Sequence, residues 1–258
     1  MTSSTLDQIR AASPLVHCIT NYVTVNDVAN VLLAIGARPI MADDPEEVEE
    51  ITALCAGLCL NIGTLNARTI PSMLTAGKHA RALGHHVVLD PVGAGASRLR
   101  TETALRILHE VRPTVIRGNI SEIRTLAVGS GTTQGVDANA ADAVTEENLA
   151  ATADFLRAFA ARAEAIVVVT GAIDLVTDGV TVYAVRMGAP KWGGSRARAV
   201  SSPHSSRRLS LLSLWGSSRQ SPRRSPLWAS QERLRGRRWG SATATRPIGR
   251  ASLMPFIA

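Results

Sequence analysis

Short apolar runs alternate with longer amphipathic segments through residues 1–190, and this alternation constrains the fold more than any other feature. Six runs of four to six residues are mostly apolar: residues 15–20, 38–41, 58–62, 86–90, 114–117 and 165–170. Strands that lack polar alternation are buried on both faces, as in parallel sheets covered by helices. The pattern predicts an α/β fold with a doubly wound, mostly parallel sheet flanked by helices.

Helical patterns fill the intervals between these runs. We predict helices at residues 26–35, 45–56, 67–83, 98–111, 120–128 and 146–162. Asn26 is expected to cap the first helix, and Gly36 is expected to end it. Farther along, the pattern predicts a hairpin with strands at residues 173–176 and 180–185. Residues 129–145 are expected to form a surface loop.

The composition changes near residue 190, and this change divides the chain into two predicted regions. Residues 191–258 hold 14 of the 28 Lys and Arg residues, all four Trp residues and a single acid, Glu232, without a sustained period. Residues 1–190 carry 14 Lys and Arg against 20 Asp and Glu, a formal charge of −6 that is typical of a metabolic enzyme. We therefore predict a folded domain over residues 1–186 and a disordered or aberrant basic tail over residues 187–258.

Cysteine content and hydropathy predict the cellular setting. Cys18, Cys55 and Cys59 are too few for a disulfide framework and lie in apolar stretches, so we expect reduced thiols. The N-terminus lacks the apolar core of a signal peptide, and no segment approaches the roughly 20 apolar residues that span a bilayer. We expect a cytoplasmic protein with no membrane partner. Nucleic-acid binding would depend wholly on the basic tail, and we do not expect it.

Unusual polar residues follow several predicted strands, at the edge where parallel α/β sheets bind ligands. Asp90 ends the fourth strand and enters a Gly-rich turn, an arrangement that can hold Mg²⁺ beside a phosphate. Arg117 can pair with a phosphate, Glu122 can hold a metal-bound water, and Thr170 can reach a nucleotide. The same residues also suit helix caps and strand-ending turns, so both interpretations stay open. No Walker A or G-x-G-x-x-G sequence is present, which argues against P-loop and dinucleotide-binding proteins.

The segments after the first two predicted strands can line a small pocket. Asn21 can hydrogen-bond a heterocycle, and Val23, Pro39 and Met41 can enclose it. Each residue also has an ordinary structural interpretation. Met41 can fill a gap in the core, and His17 is expected to be a structural histidine rather than a base.

In order and spacing, these segments resemble hydroxyethylthiazole kinase, a family of the ribokinase-like superfamily. The resemblance rests on seven blocks: residues 17–24 (His-Cys-Ile-Thr-Asn-Tyr-Val-Thr), 26–30 (Asn-Asp-Val-Ala-Asn), 39–42 (Pro-Ile-Met-Ala), 61–64 (Asn-Ile-Gly-Thr), 89–95 (Leu-Asp-Pro-Val-Gly-Ala-Gly), 117–123 (Arg-Gly-Asn-Ile-Ser-Glu-Ile) and 169–171 (Val-Thr-Gly). It implies a ribokinase-like fold and ATP-dependent, Mg²⁺-assisted phosphorylation of the primary alcohol of 4-methyl-5-(2-hydroxyethyl)thiazole in thiamine salvage. It also implies a homotrimer with sites between subunits. A related kinase that acts on a hydroxymethylpyrimidine shares the fold but fits residues 17–24 less well.

The resemblance also implies roles for individual residues. Five of them belong to the thiazole site, with Met41 in contact and the others nearby: Met41, Asn21, Val23, Gly36 and Pro39. Arg117 and Thr170 would bind ATP, while Asp90 and Glu122 would organise Mg²⁺ and its waters. Such chemistry consists mostly of positioning and charge neutralisation, which agrees with the side chains present.

The tail departs from the family pattern. The family continues with a motif of the form Met-Gly-x-Ile-Thr-Gly-Thr-Gly-Cys, whose glycines form an anion hole and whose cysteine occupies the position of the catalytic base. No such motif stands in residues 186–258, so we assign no catalytic residue. A shifted reading frame explains the loss. With the frame displaced to begin at the third base of the Lys191 codon, permitted codons through Val200 encode Met-Gly-Arg-Ile-Thr-Gly-Thr-Gly-Cys, and those for residues 201–210 encode an apolar helix start.

Three functional interpretations follow from the sequence. The first is an ATP-dependent thiazole kinase, and the second is a catalytically dead remnant of one, because an anion hole contributes strongly to catalysis. The third is a non-enzymatic protein that binds polyanions through the tail. A tail with a formal charge of +13 and interspersed Trp residues would bind polyanions with a strong salt dependence.

Overall fold

A mixed β-sheet forms the scaffold of the protein. The computed structural model describes residues 5–129 and 143–186. Its strands are β1 (Leu15–Ile19), β2 (Arg38–Ile40), β3 (Gly57–Asn61), β4 (His86–Asp90), β5 (Val115–Gly118), β6 (Ile166–Val169), β7 (Ile173–Thr177) and β8 (Val182–Arg186). Within these described residues they form one eight-stranded sheet in the order β2-β1-β3-β4-β5-β6-β7-β8.

The direction of the strands decides where a ligand site can form. Strands β1 to β6 run parallel to one another, whereas β7 is antiparallel to both β6 and β8 and forms with β8 the predicted hairpin at one edge. The parallel strands therefore end at the same edge of the sheet, which we call the carboxyl edge. The doubly wound, mostly parallel sheet that the apolar runs predict is confirmed.

Helices occupy the connections between strands. They are α1 (Thr5–Ala12), α2 (Val25–Ala34), α3 (Val48–Leu54), α4 (Thr69–Ala82), α5 (Arg98–Arg106), α6 (Ile120–Val128) and α7 (Leu149–Ala163). A π-helical turn, Ile107–Val111, continues α5. Helix α1 is absent from the sequence-based prediction, because its short polar sequence hides one buried apolar residue, Ile9.

The expected cap of α2 is wrong. The helix begins at Val25, one residue before Asn26, and Thr24 occupies the N-cap position without a side-chain capping bond. Instead, the side-chain oxygen of Asn21 accepts hydrogen bonds from the backbone N–H groups of Val23 and Thr24, at 3.1 and 3.0 Å. The turn before the helix is therefore organised from the end of β1.

Apolar side chains pack on both faces of the sheet. The larger cluster includes Ile19, Leu58 and Leu89 from neighbouring strands together with residues of α4, α6 and α7. A smaller cluster joins Val16 and Cys18 of β1 to side chains from α1 and α2. Because adjacent residues of β1 belong to different clusters, the strand is covered by helices on both sides, as a parallel sheet requires.

Two sequence-based expectations fall partly or wholly outside the structure. Most of the predicted loop at residues 129–145 and the whole predicted tail at residues 187–258 lie outside the described residues. Among the helices of residues 5–129 and 143–186, none has the length and apolar character needed to cross a membrane.

Candidate active site

Asp90 and Arg117 form an ion pair at the carboxyl edge. They follow paired positions of β4 and β5, since Leu89 lies opposite Ile116 in the parallel register. Nη1 of Arg117 donates to Oδ2 of Asp90 at 3.0 Å, and the two side chains are only 26% and 14% exposed. Burial raises the pKa of Asp90, while the charge and hydrogen bond of Arg117 oppose that rise. The pair is thus a partly desolvated carboxylate held by a cation.

Glu122 joins the loops that follow β4 and β5. Its Oε1 accepts from the backbone N–H of Gly93 at 2.9 Å, and its Oε2 accepts from that of Asn119 at 2.8 Å. Asn119 in turn accepts from the N–H of Glu122, which completes a capping box at the start of α6. Burial raises the pKa of Glu122. Glu122 therefore caps α6 as one of the two interpretations predicts, and the same carboxylate contacts the Gly-rich turn.

Arg100 closes the Gly-rich turn, and no local pattern in the sequence predicts this contact. Its guanidinium donates to the carbonyl oxygens of Val92 and Gly63, at 3.2 and 2.8 Å. A side chain at Gly93 would collide with it, because an added Cβ would lie 2.4 Å from Nη1 of Arg100. The loops after β3 and β4 are thus held together by the half-buried guanidinium of Arg100.

Thr170 lies one strand farther along the same edge. Its backbone N–H donates to the carbonyl oxygen of Gly118 at 2.9 Å, and its hydroxyl approaches the same oxygen at 3.4 Å. Because Gly118 follows Arg117 directly, the edge brings Thr170 next to the ion pair. The structure therefore brings together Asp90, Arg117, Glu122 and Thr170.

Two asparagines extend this polar group toward β1. Nδ2 of Asn61 donates to Oδ2 of Asp90 at 3.0 Å. Nδ2 of Asn21 donates to Oδ1 of Asn61 at 2.9 Å. Both asparagines are at least nine-tenths buried. Asn21 is thus linked to Asp90 through Asn61, a residue for which the sequence analysis predicts no role.

The apolar side chains predicted to enclose the heterocycle are the exposed part of this edge. Val23 is 77% exposed and Met41 is 38% exposed, while Pro39 is half-buried in β2 opposite Val16. The segment that carries Met41 is nonetheless anchored. Nε2 of His17 bonds to the carbonyl oxygen of Ala42 at 2.7 Å, so this ring nitrogen must be the donor.

His17 has the structural role that we expected. Its Nδ1 bonds to the hydroxyl of Thr52 at 2.9 Å, and the side chain is completely buried. Burial lowers the pKa of His17, which favours the neutral ring. A neutral histidine therefore ties β1 to α3 and to the residue after Met41.

Gly36 is not brought to this edge within one chain, and its expected place near the thiazole site, which the resemblance puts between subunits, stays a prediction. It lies between α2 and β2, at the amino end of the strand. A Cβ at Gly36 would lie 2.7 Å from Cγ of Arg10 in α1. Because β2 separates Gly36 from Met41, the two residues lie at opposite ends of the strand.

The described residues offer few groups for metal or acid–base chemistry beyond this edge. Within residues 5–129 and 143–186, no group of three or more His, Cys, Asp or Glu side chains could hold a metal ion. Cys59 of β3 is a free thiol whose pKa burial raises to about 12. A thiol with so high a pKa stays protonated near neutral pH, so Cys59 is not available there as a catalytic base.

Comparison with known proteins decides the family. The profile of the hydroxyethylthiazole kinase family matches residues 6–201. The chain belongs to this family. It is 56% identical over 190 residues to the hydroxyethylthiazole kinase of Clostridium acetobutylicum, covering 74% of this chain and 70% of that one. It is 54% identical over 185 residues to the enzyme of Desulfovibrio desulfuricans, covering 72% and 65%.

A solved structure supports the same assignment. The hydroxyethylthiazole kinase of Pyrococcus horikoshii OT3 superposes with a TM-score of 0.62 at 38% sequence identity, covering 72% of this chain and 66% of that chain. The ribokinase-like fold and the family resemblance drawn from the seven sequence blocks are therefore confirmed. The chain spans about two thirds of the length of the relatives that it matches.

Proposed function

We propose that the described region carries the active site of an ATP-dependent kinase that phosphorylates the hydroxyl of 4-methyl-5-(2-hydroxyethyl)thiazole. The observation that supports it most is the Asp90–Arg117 ion pair at the carboxyl edge, beside a Gly-rich turn that Glu122 fixes. Anionic ligands bind at such edges of α/β sheets, where backbone N–H groups and a cation can meet a phosphate. The names of the relatives supply the substrate class.

Asp90 and Glu122 fit a magnesium ion. The recorded hydrogen bonds among the described residues engage only Oδ2 of Asp90, and the side chain keeps 14% exposure, so Oδ1 can face a ligand. Both oxygens of Glu122 accept backbone N–H groups but retain lone pairs for a metal-bound water. Mg²⁺ typically binds one or two carboxylates plus phosphates and waters, and when bound it neutralises charge on the phosphates.

Arg117 and Thr170 are proposed to bind ATP. The guanidinium of Arg117 keeps free donors after its single recorded bond to Asp90, and these suit phosphate oxygens. Thr170 presents a half-buried hydroxyl next to Gly118 on the adjacent strand. Together they would hold the triphosphate over the ends of β5 and β6.

Asn21, Val23, Pro39 and Met41 are proposed to bind the thiazole alcohol. Asn21 supplies the polar group, whereas Val23 and Met41 expose apolar surface that a heterocycle can cover. We also propose that a homotrimer forms, since exposed apolar side chains at this end suit a neighbouring subunit. A mass measurement by light scattering that gives only monomer at concentrations well above that of the assay would contradict the trimer.

A paired activity assay tests the proposed reaction. The full chain is compared with a version in which residues 192–210 are replaced by the sequence of the displaced frame. We expect the restored version to phosphorylate the thiazole alcohol in an ATP-dependent reaction. The rate of the full chain should be lower by a factor of about 100 or more, because loss of an anion hole costs about that much. Absence of phosphorylation by both would contradict the proposed reaction. Equal rates would show that the lost motif is dispensable.

A further inference from the structure

Asn61 joins the two ends of the candidate site through side-chain hydrogen bonds to Asn21 and to Asp90. It is the last residue of β3, between β1 and β4 in the sheet. Its side chain is buried, with 9% exposure of the residue. Because a side-chain amide has an acceptor oxygen and a donor nitrogen, its orientation decides which neighbours it can hydrogen-bond.

The neighbours of Asn61 fix that orientation. The backbone N–H of Gly63 donates to Oδ1 at 2.9 Å, so this atom must be the acceptor. Oδ1 also accepts from Nδ2 of Asn21 at 2.9 Å. Nδ2 of Asn61 is then left to donate to the carboxylate of Asp90 at 3.0 Å. A reversed amide would place an oxygen against the carboxylate and lose all three bonds.

Asn21 carries the connection onward to the backbone after β1. Its Oδ1 accepts from the N–H groups of Val23 and Thr24 and from the hydroxyl of Thr24, at 3.0–3.1 Å. Asn21 therefore needs its Nδ2 to find an acceptor elsewhere, and Asn61 provides it. Packing is close at this point, since a Cβ on Gly63 would lie 3.0 Å from both Cβ of Asn21 and Oδ1 of Asn61.

We infer that Asn61 is a positioning residue that orients the Asp90 carboxylate and, through Asn21, the backbone of residues 21–24. Because Asn61 and Arg117 both donate to Oδ2, the other carboxylate oxygen of Asp90 is left available to a ligand. The same amide holds the loop that bears Val23. The alcohol and the metal-bound phosphate are thereby kept in register by one side chain. This inference takes its ligands from the proposed function, although its hydrogen bonds do not depend on it.

The first test measures the titration of Asp90 in the full chain, by NMR of carboxylates labelled with ¹³C, with Asp90→Asn used for assignment. The matched variants are Asn61→Leu and Asn66→Leu. Asn66 also accepts two backbone N–H groups beyond β3, at 2.9 Å each, but has no recorded bond to Asp90. We expect Asn61→Leu to move the titration of Asp90 to higher pH, because a donor that stabilises the charged form is lost. Asn66→Leu should leave it unchanged.

The other groups that face Asp90 are the same in every variant. They are Arg117 of β5, Glu122 of α6 and Cys59 of β3. A shift confined to Asn61→Leu therefore reports on the lost amide. An unshifted Asp90 in a folded Asn61→Leu variant would overturn the inference.

The second test separates the two halves of the connection and covers the case in which Asn61→Leu does not fold. Asn61→Ala removes the same amide with a smaller side chain, whereas Asn21→Ala removes only the acceptor of the Val23 and Thr24 amides and leaves the donation of Asn61 to Asp90. We expect Asn61→Ala to raise the pKa of Asp90, and Asn21→Ala to lower hydrogen-exchange protection of the Val23 and Thr24 amides without changing the titration of Asp90. An unshifted Asp90 in a folded Asn61→Ala variant would contradict the role in orienting the carboxylate.

A third measurement distinguishes this inference from the proposed function. Calorimetric titration with Mg²⁺·ATP should give an affinity about tenfold weaker in Asn61→Leu, as expected for one lost bond to a charged group. If the unaltered chain does not bind Mg²⁺·ATP, the proposed function fails. The ligand-free titration of Asp90 then still decides whether Asn61 is a positioning residue.

Discussion

The two ends of the candidate site differ in how completely a single chain builds them. At the end near β4 and β5, Asp90 and Arg117 are mostly buried and hydrogen-bonded to each other, and Glu122 and Arg100 fix the surrounding loops. At the end near β1 and β2, the backbone is hydrogen-bonded, but the apolar side chains of Val23 and Met41 are 77% and 38% exposed. The difference teaches that the proposed phosphate end is preorganised within one chain, whereas the proposed alcohol end leaves apolar surface open to further cover.

The largest expected effect comes from removing the cation at the phosphate end. Arg117→Met leaves the Asp90 carboxylate partly buried with only Asn61 as a recorded side-chain partner, which should cost about 3 kcal/mol in the free energy of unfolding. Urea denaturation measures it. Arg157→Met is the control, because its partner Asp154 is 73% exposed, and the loss should be about 0.5 kcal/mol or less. Equal losses would show that the phosphate end is not specially organised.

A glycine pair tests whether the Gly-rich turn is built around Arg100. Gly93 and Gly84 have similar positive φ angles, +74° and +76°, but only Gly93 has a neighbour within reach of an added Cβ. Gly84→Ala should cost about 1 kcal/mol from backbone strain alone. Gly93→Ala should cost roughly 1–3 kcal/mol more from the clash. Thermal unfolding compares the two variants, and indistinguishable midpoints would argue against close packing of Gly93 on Arg100.

The pH dependence of stability tests the anchor at the alcohol end. Burial lowers the pKa of His17 in the folded protein, so the unfolded chain binds more protons just below pH 6.5. The contribution of His17 to the free energy of unfolding is therefore present above about pH 6.5. It is lost as pH falls toward the lowered pKa of the folded protein, and the free energy of unfolding then changes by at most about 1.4 kcal/mol per pH unit.

His17→Gln isolates this effect. The pKa values of His85 and His86 are also lowered by burial, while those of Asp90 and Glu122 are raised, so the unaltered chain sums opposing contributions. The difference in unfolding free energy between the two proteins should shrink as pH falls from about 7 to about 5. A difference that stays constant with pH would mean that His17 does not titrate in this way.

The smallest effect on stability is expected at Met41. Met41→Ala should change the free energy of unfolding by about 0.5 kcal/mol or less, because the side chain is exposed. Affinity for the thiazole alcohol should nonetheless fall several-fold, while affinity for Mg²⁺·ATP stays unchanged. Calorimetry with each ligand checks both. A loss of nucleotide affinity would show that the two ends are less separate than proposed.

The sequence predicted the sheet and the residues at its carboxyl edge because both depend on local pattern. Apolar runs marked the strands, and the parallel order placed Asp90, Arg117 and Thr170 at one edge. The contacts that organise this edge were not predictable in the same way. Asn61 and Arg100 act across 29 and 37 residues of sequence, and only the fold shows which side chains they meet.

One expectation is wrong, and another is not met within a single chain. Gly36 is expected near the thiazole by its family position, but a short strand separates it from the carboxyl edge of its own chain. Asn26 was chosen as a cap because its residue type is favourable, whereas the turn is organised by Asn21 from the preceding strand. Residue type alone identified plausible partners, but the distances between elements decided which of them meet.

Titration of the full chain with Mg²⁺·ATP, beside the Asp90→Asn and Arg117→Met variants, tests most directly whether the preorganised end is the nucleotide site. Folding of each variant is verified by circular dichroism. We predict Mg²⁺-dependent binding by the unaltered chain and affinities at least about tenfold weaker in both variants, since each loses a charged contact to the phosphates or their cation. Equal affinities in all three proteins would contradict the assignment of this edge to ATP.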